Sequence, residues 1–277
     1  MELCIALTAD QDNYCGAGTS LLLPDNQSDY IEAVATAAAE SKIPVTVVVM
    51  GGGPVDISAA KSSPHVGAIM WCGYPGQSGG ASIADVVMGK INPAGKLTLT
   101  WYPESFTKQV PITDYGMRPN KKTGNPGRTY RFFTGEPVFK FGEGLSYTQF
   151  DSVLKAPTKV STKYFDDDLT LHALSKKVAT TVSVTSRNTG DRHGDNVVLV
   201  FASPPGAGEN GRPLRSLVAF DRVSLAPGEE KESLLAIDAQ HLTLATGISQ
   251  RETVPGPWKL WVGADGEDEA VTMTVVA

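Results

Sequence analysis

PVTVVVMGGGPVD, residues 44–56, decides the architecture of the first half of the chain. From Val45 to Val49 every residue is β-branched, four valines and Thr46. An uninterrupted β-branched run is the mark of a strand buried on both faces, and that burial occurs in parallel sheets covered by helices. Gly51, Gly52 and Gly53 end the strand, and Pro54 fits the first turn of a short helix. Working outward, Leu3 to Leu7 is a short apolar run. Asp25 or Asn26 is placed to cap a helix whose Ile31, Val34, Ala35 and Ala38 follow the 3.6-residue period. VGAIMWC (Val66 to Cys72) predicts a third strand and LTLTW (Leu97 to Trp101) a fourth, with a helix between them over Gly80 to Gly89. This alternation predicts an α/β domain with an open, doubly wound, mostly parallel sheet.

After Tyr147 the rhythm changes. Val178–Thr185, Asn196–Ala202, Arg222–Leu225, Glu232–Ile237, Trp258–Val262 and Val271–Val276 read as short strands. Turn-forming clusters separate them, among them Asn188-Thr189-Gly190-Asp191 and Ala226-Pro227-Gly228-Glu229. Such spacing predicts an all-β antiparallel sandwich. Between the halves lies PGRTYRFFTGEPVFKFGEGLSY (Pro126 to Tyr147), which has no regular period and carries six aromatic residues. Rings this dense need a partner surface, because leaving them in water is costly. The expected division is therefore 1–125, a connecting strap over 126–155, and 156–277.

Composition narrows the function. With 277 residues, 41% apolar, 19% charged and a net charge of −6, the chain is globular and a poor match for nucleic acid or an anionic membrane. No apolar run reaches the roughly 20 residues of a membrane helix, and the N-terminus has no secretory n-region. Cys4, Cys15 and Cys72 fit no zinc spacing; Cys4 and Cys72 read as buried thiols. No metal or cofactor is expected. Asn26-Gln27-Ser28 is a glycosylation sequon if the chain is secreted.

Several residues invite a chemical role. Met50 to Asp56 follows a strand and precedes a helix, as phosphate cradles do, but it has neither GxGxxG nor a GK[ST] lysine. We read it as a tight turn. In a doubly wound sheet the carboxyl ends of the strands hold ligands, so residues 8–13, 51–56 and 73–77 mark the edge on which to seek a site. His65, His172, His193 and His241 show no triad or metal spacing, and Asp166-Asp167-Asp168 reads as a solvated turn. Trp71 and Trp101 have the chemistry to stack on a sugar, yet their place in strand runs assigns them to the core.

WCGYPGQSGGASIADV (Trp71 to Val86), NPAGKL (Asn92 to Leu97), PGRTYRF (Pro126 to Phe132) and FGEGLSY (Phe141 to Tyr147) together resemble glycoside hydrolase family 3. The Gly-Tyr-Pro-Gly-Gln wording and MGGGPVD are most similar to its β-xylosidase / α-arabinofuranosidase branch of plant type. GRPL (Gly211 to Leu214), FDRVSLAPG (Phe220 to Gly228) and GPWKLWVG (Gly256 to Gly263) resemble the fibronectin type III-like domain of that family. The resemblance implies the C-terminal part of a retaining β-D-xylosidase-like exo-glycosidase, outside the cell or in its wall. Its partners would be xyloside or arabinoside oligosaccharides. It also implies an upstream (β/α)₈ barrel of about 250 residues bearing an aspartate nucleophile, which these residues do not contain.

The family's acid/base glutamate lies upstream of a Leu-x-Leu-Pro landmark, here Leu21 to Pro24. The region before it holds Asp12-Asn13-Tyr14-Cys15-Gly16-Ala17-Gly18, and no glutamate stands between Glu2 and Glu32. Asp12 is the nearest candidate acid, one methylene shorter. The alternative is a non-catalytic carbohydrate-binding or protein-interaction module. An incomplete parallel sheet also predicts self-association through an exposed edge. The resemblance turns the strap into an interdomain connector, with Arg128 and Arg131 expected in interdomain ion pairs.

Overall fold

The computed structural model describes residues 3–8, 20–162, 174, 177–247 and 250–276. They form two compact units, Met1–Ile91 with Leu99–Gly127 and Thr134–Lys140, and Asn92–Thr98 with Arg128–Phe133 and Phe141–Ala277.

In the first unit β1 (Leu3–Thr8), β2 (Val45–Met50) and β3 (Val66–Gly73) make a parallel sheet in the order β1-β2-β3. Central β2 is the valine run, and Val45, Val47, Val48 and Val49 are fully buried. Helix α1 (Gln27–Glu40) buries Ile31, Ala35 and Ala38, as its period predicts. Helix α2 (Ser58–Ser62) starts four residues after Pro54, so that proline lies in the approach and not in the first turn. Helix α3 spans Gly79–Val87 and α4 Ser105–Gln109.

The expected fourth strand, Leu97–Trp101, is not one. Trp101 makes a single antiparallel bridge to Phe139, while Leu97 belongs to the other unit. There the Leu97 N–H donates to Glu143 O (2.9 Å) and the Gly142 N–H donates to Leu97 O (2.7 Å). The apolar alternation read as a strand belongs to a segment bonded to the strap at Leu97 and at Trp101.

The second unit is a sandwich. One sheet has the order β5 (Lys159–Ser161), β13 (Val271–Val276), β12 (Gly256–Val262), β7 (Gly194–Ser203), β8 (Ser216–Leu225). The other is β4 (Phe150–Lys155), β6 (Val178–Asn188), β9 (Glu230–Asp238), and β10 (Thr243–Gly247) with β11 (Gln250–Thr253) forms a separate ribbon. Pairing is antiparallel except between β13 and β5. Alternate residues, including Val182, Val184, Val198, Val200, Leu235, Ile237, Trp258, Leu260 and Met273, build one core between the sheets.

β7 departs from simple alternation, because Leu199 and Phe201 on its opposite face are buried as well. The strap supplies the cover. Helix α5 (Thr129–Phe132) and the residues after Lys140 bring Tyr130 and Phe141 together, stacked at 4.1 Å. Both rings then meet Phe201 edge-on at 5.9 and 6.1 Å, and Phe201 stacks on Trp261. Gly142, at φ 83°, passes so close that an added Cβ would lie 2.9 Å from Leu199 Cδ1. The Leu217 N–H donates to the Tyr130 hydroxyl (3.2 Å), and the Leu214 N–H to Arg131 O (2.7 Å). The strap's aromatic density is thus matched to an apolar outer sheet face.

The same unit explains two of the quoted motifs. Asn92 Oδ1 accepts from the Ser146 hydroxyl (2.9 Å) and the Tyr147 N–H (2.8 Å), and its amide donates to His193 O (3.1 Å). Lys96 Nζ donates to Gly144 O. A Cβ on Gly144 would stand 2.5 Å from Gly95 O. NPAGKL and FGEGLSY are two halves of one packed contact.

Candidate functional site

The carboxyl end of the parallel sheet is organised by two carboxylates. As β2 ends, its chain bends through Gly51 to Gly53 and returns to Asp56, which forms a parallel bridge with Leu22. The Asp56 N–H donates to Leu21 O at 2.6 Å. Asp56 Oδ1 accepts from the Ser58 N–H (2.9 Å) and hydroxyl (2.5 Å), while Oδ2 accepts from the Glu104 N–H (2.6 Å). Glu104 in turn reaches back. Its Oε2 accepts from the Leu21 N–H (2.6 Å) and the Ser20 hydroxyl (3.2 Å), and its Oε1 from Thr107 (3.3 Å). Three segments distant in sequence are held by charge-assisted bonds, the stronger kind.

Beside this clasp β3 ends in a second turn. The Trp71 indole donates to Gly51 O (2.9 Å), and the Gly51 N–H donates to Gly73 O (3.2 Å). Gly73 and Gly76 take φ values of 61° and 69°, which side-chain-bearing residues rarely adopt. Pro75 lies over the start of α3, where a Cβ on Gly79 would meet its ring at 2.6 Å. The turn after β3 is therefore specified by glycine.

This geometry counts against a phosphate cradle at Gly51–Gly53. The Gly51 N–H is already spent on Gly73, and the first N–H of α2 faces the Asp56 carboxylate, which repels anions. Cys72 is half-buried and donates to Val49 O (3.6 Å); burial pushes its thiol up, away from nucleophilic thiolate. Trp101 is 1% exposed and packs edge-on against Trp71 (6.0 Å) and Phe139 (5.8 Å), so it serves the core and not a sugar. Lys61 lies over Phe139 at 4.4 Å and donates to Val138 O.

Of the histidines, His193 meets Ser224 (3.0 Å) on the sandwich. Asp195 beside it is held below the usual carboxylate range by hydrogen bonds from Ser224 and Arg222. The Arg222–Asp195 pair closes at 2.6 Å. Ser224 thus lies between the ring and the carboxylate, which is not the order of a hydrolytic triad. Arg131 spreads over Phe132 at 5.5 Å. Asp12, the stretch 12–18, Cys15, His172 and Asp166–Asp168 lie outside the described residues. Among the described residues no group of three His, Cys, Asp or Glu side chains is placed to hold a metal ion. Glu104, the hub of the clasp, carries no sequence signal: its partners Ser20 and Leu21 are 84 and 83 residues away.

Residues 2–147 match the model of the glycosyl hydrolase family 3 C-terminal domain, and 196–266 that of a fibronectin type III-like domain. The chain belongs to glycoside hydrolase family 3. Its relatives include beta-D-xylosidase 1 of Arabidopsis thaliana, 41% identical over 88% of this chain and 33% of the relative. Another is the exo-1,4-beta-xylosidase bxlB of Emericella nidulans, 41% identical over 88% of this chain and 31% of its own length. A solved family-3 exo-beta-xylosidase, XlnD with a xylobiose aziridine probe, superposes with a TM-score of 0.82 at 33% identity, covering 94% of this chain and 34% of that one. The chain spans about a third of the length of the relatives it matches.

Proposed function

We propose that these residues form the C-terminal portion of a β-D-xylosidase-type retaining exo-glycosidase that trims xylan or arabinoxylan oligosaccharides outside the cell. One observation carries the reading: identity of 38% over 92% of the chain to a probable beta-D-xylosidase of Arabidopsis thaliana, matched by the 0.82 superposition on an exo-beta-xylosidase. Retaining hydrolysis needs two carboxyl groups about 5–5.5 Å apart across the scissile bond. A barrel aspartate supplies the nucleophile in this reading, and the sheet's carboxyl edge supplies a wall of the sugar pocket. Asp12 is the residue we assign to the acid/base position. Being a methylene short, it works from a displaced position, and a displacement near 1 Å costs about 10²-fold in rate.

The 277 residues assayed alone are expected to be inert toward an aryl β-xyloside, because no nucleophile is assigned to them. Turnover by this chain that disappears in Asp12→Asn overturns that division of labour. A second reading, a carbohydrate-binding or protein-interaction module without catalysis, is favoured by the missing glutamate between Glu2 and Glu32. Calorimetry with xylo-oligosaccharides decides its lectin-like form; no heat at millimolar ligand removes it.

A further inference from the structure

The sequon at Asn26 is the chain's only Asn-X-Ser/Thr triplet with X other than proline, and the structure prepares it for use. Pro24 to Gln27 is a closed turn, with the Gln27 N–H donating to Pro24 O (3.3 Å) and Asp25 at φ 50°. Asn26 stands exposed at its tip, immediately before α1. It occupies the N-cap position yet makes no side-chain cap bond, so its amide is not committed to the helix. Four residues on, Tyr30 is 57% exposed on the same side of α1. Residues four apart are neighbours on a helix surface, and the Tyr30 N–H donates to Asn26 O (2.9 Å). The helix buries its other face, Ile31, Ala35 and Ala38. An exposed aromatic ring gains from a sugar face laid against it.

We propose that Asn26 carries an N-linked glycan whose first N-acetylglucosamine packs on the ring of Tyr30. In the step that installs it, Asn26 Nδ2 loses a proton and bonds to C1 of that sugar. The bond from C1 to the diphosphate of a lipid-linked oligosaccharide breaks, and the lipid diphosphate leaves with the bonding electrons. This inference needs entry into the secretory route, not glycosidase activity, so it stands or falls apart from the proposed function.

The test places the 277-residue chain behind a cleavable secretory signal in cell-free translation with rough microsomes, scoring only protease-protected chains. The expected result is a single glycan's mobility shift, removed by endoglycosidase. It is absent from Asn26→Gln and Ser28→Ala and kept in Ser28→Thr. Protected chains that migrate with Asn26→Gln overturn the proposal. On glycoprotein secreted from yeast, deglycosylation is expected to lower the melting temperature by about 2–4 °C. In Tyr30→Ala that drop vanishes; an equal drop in both proteins overturns the packing on Tyr30.

Discussion

Replacing Glu104 by alanine tests whether the carboxylate clasp organises the edge of the sheet. The side chain accepts from the Leu21 N–H at 2.6 Å, from the Ser20 hydroxyl at 3.2 Å and from Thr107 at 3.3 Å. A bond to a charged acceptor contributes about 1.5–3 kcal/mol net. The two hydroxyl bonds are longer and half-exposed, and contribute about 0.5 kcal/mol or less each, since water replaces them. Glu104→Ala is therefore expected to cost about 2–3 kcal/mol. Glu104→Gln keeps an acceptor oxygen in place and loses only the charge, so about 1 kcal/mol is expected. The loss is local first, because Ser20 and Leu21 leave the clasp before the sheet opens. Hydrogen exchange at the Leu21 amide reads it directly: about 30- to 150-fold faster in the alanine variant and under tenfold in the glutamine variant, at 1.4 kcal/mol per decade. The Asp56 amide, bonded to Leu21 O at 2.6 Å, is expected to follow. An Leu21 amide that exchanges in Glu104→Ala at the wild-type rate refutes the clasp.

Asn188 is wholly buried, and its amide makes four bonds: Oδ1 accepts from Thr148 (2.8 Å) and the Gly190 N–H (3.1 Å), and Nδ2 donates to Arg192 O (2.7 Å) and Leu225 O (3.0 Å). At about 1 kcal/mol each, Asn188→Ala costs roughly 4 kcal/mol, read by urea unfolding; a loss under about 1 kcal/mol contradicts this. Burial lowers the affinity of His241 for a proton below the ordinary 6.5, with Arg251 and Arg131 adding to the effect and Asp238 opposing it. The unfolded chain then binds more protons, so stability present above pH 6.5 is lost as the pH falls through that value; His241→Gln flattens this limb, and an unchanged slope excludes His241 as its source. Among the described residues β1 and β3 are the edges of the parallel sheet. Light scattering on the 277-residue chain is expected to show dimers or larger species through such an edge, and a clean monomer rejects that.

The sequence by itself determined the elements whose signal is local. The valine run is β2, buried without alternation from Val45 to Val49 as its unbroken β-branched run predicts, and α1 buries the face its spacing marks. The glycine-bearing turns after β2 and β3 were legible from their own residues, and at Gly73 and Gly76 the backbone angles are ones that only glycine takes at no cost. What sequence reasoning could not reach rests on partners far along the chain. Leu97–Trp101 has the composition of a strand, but its backbone hydrogen bonds are made with Val138, Phe139, Gly142 and Glu143. β7 reads as an ordinary antiparallel strand until Tyr130 and Phe141 are found on its outer face. Glu104 looks like any surface glutamate until the fold carries Ser20 and Leu21 to it. Local periodicity is written in neighbouring residues, whereas a carboxylate's or a ring's partner is chosen by the packing of the whole domain. The tertiary structure therefore decided where the strap lies and which residues hold the site's edge together.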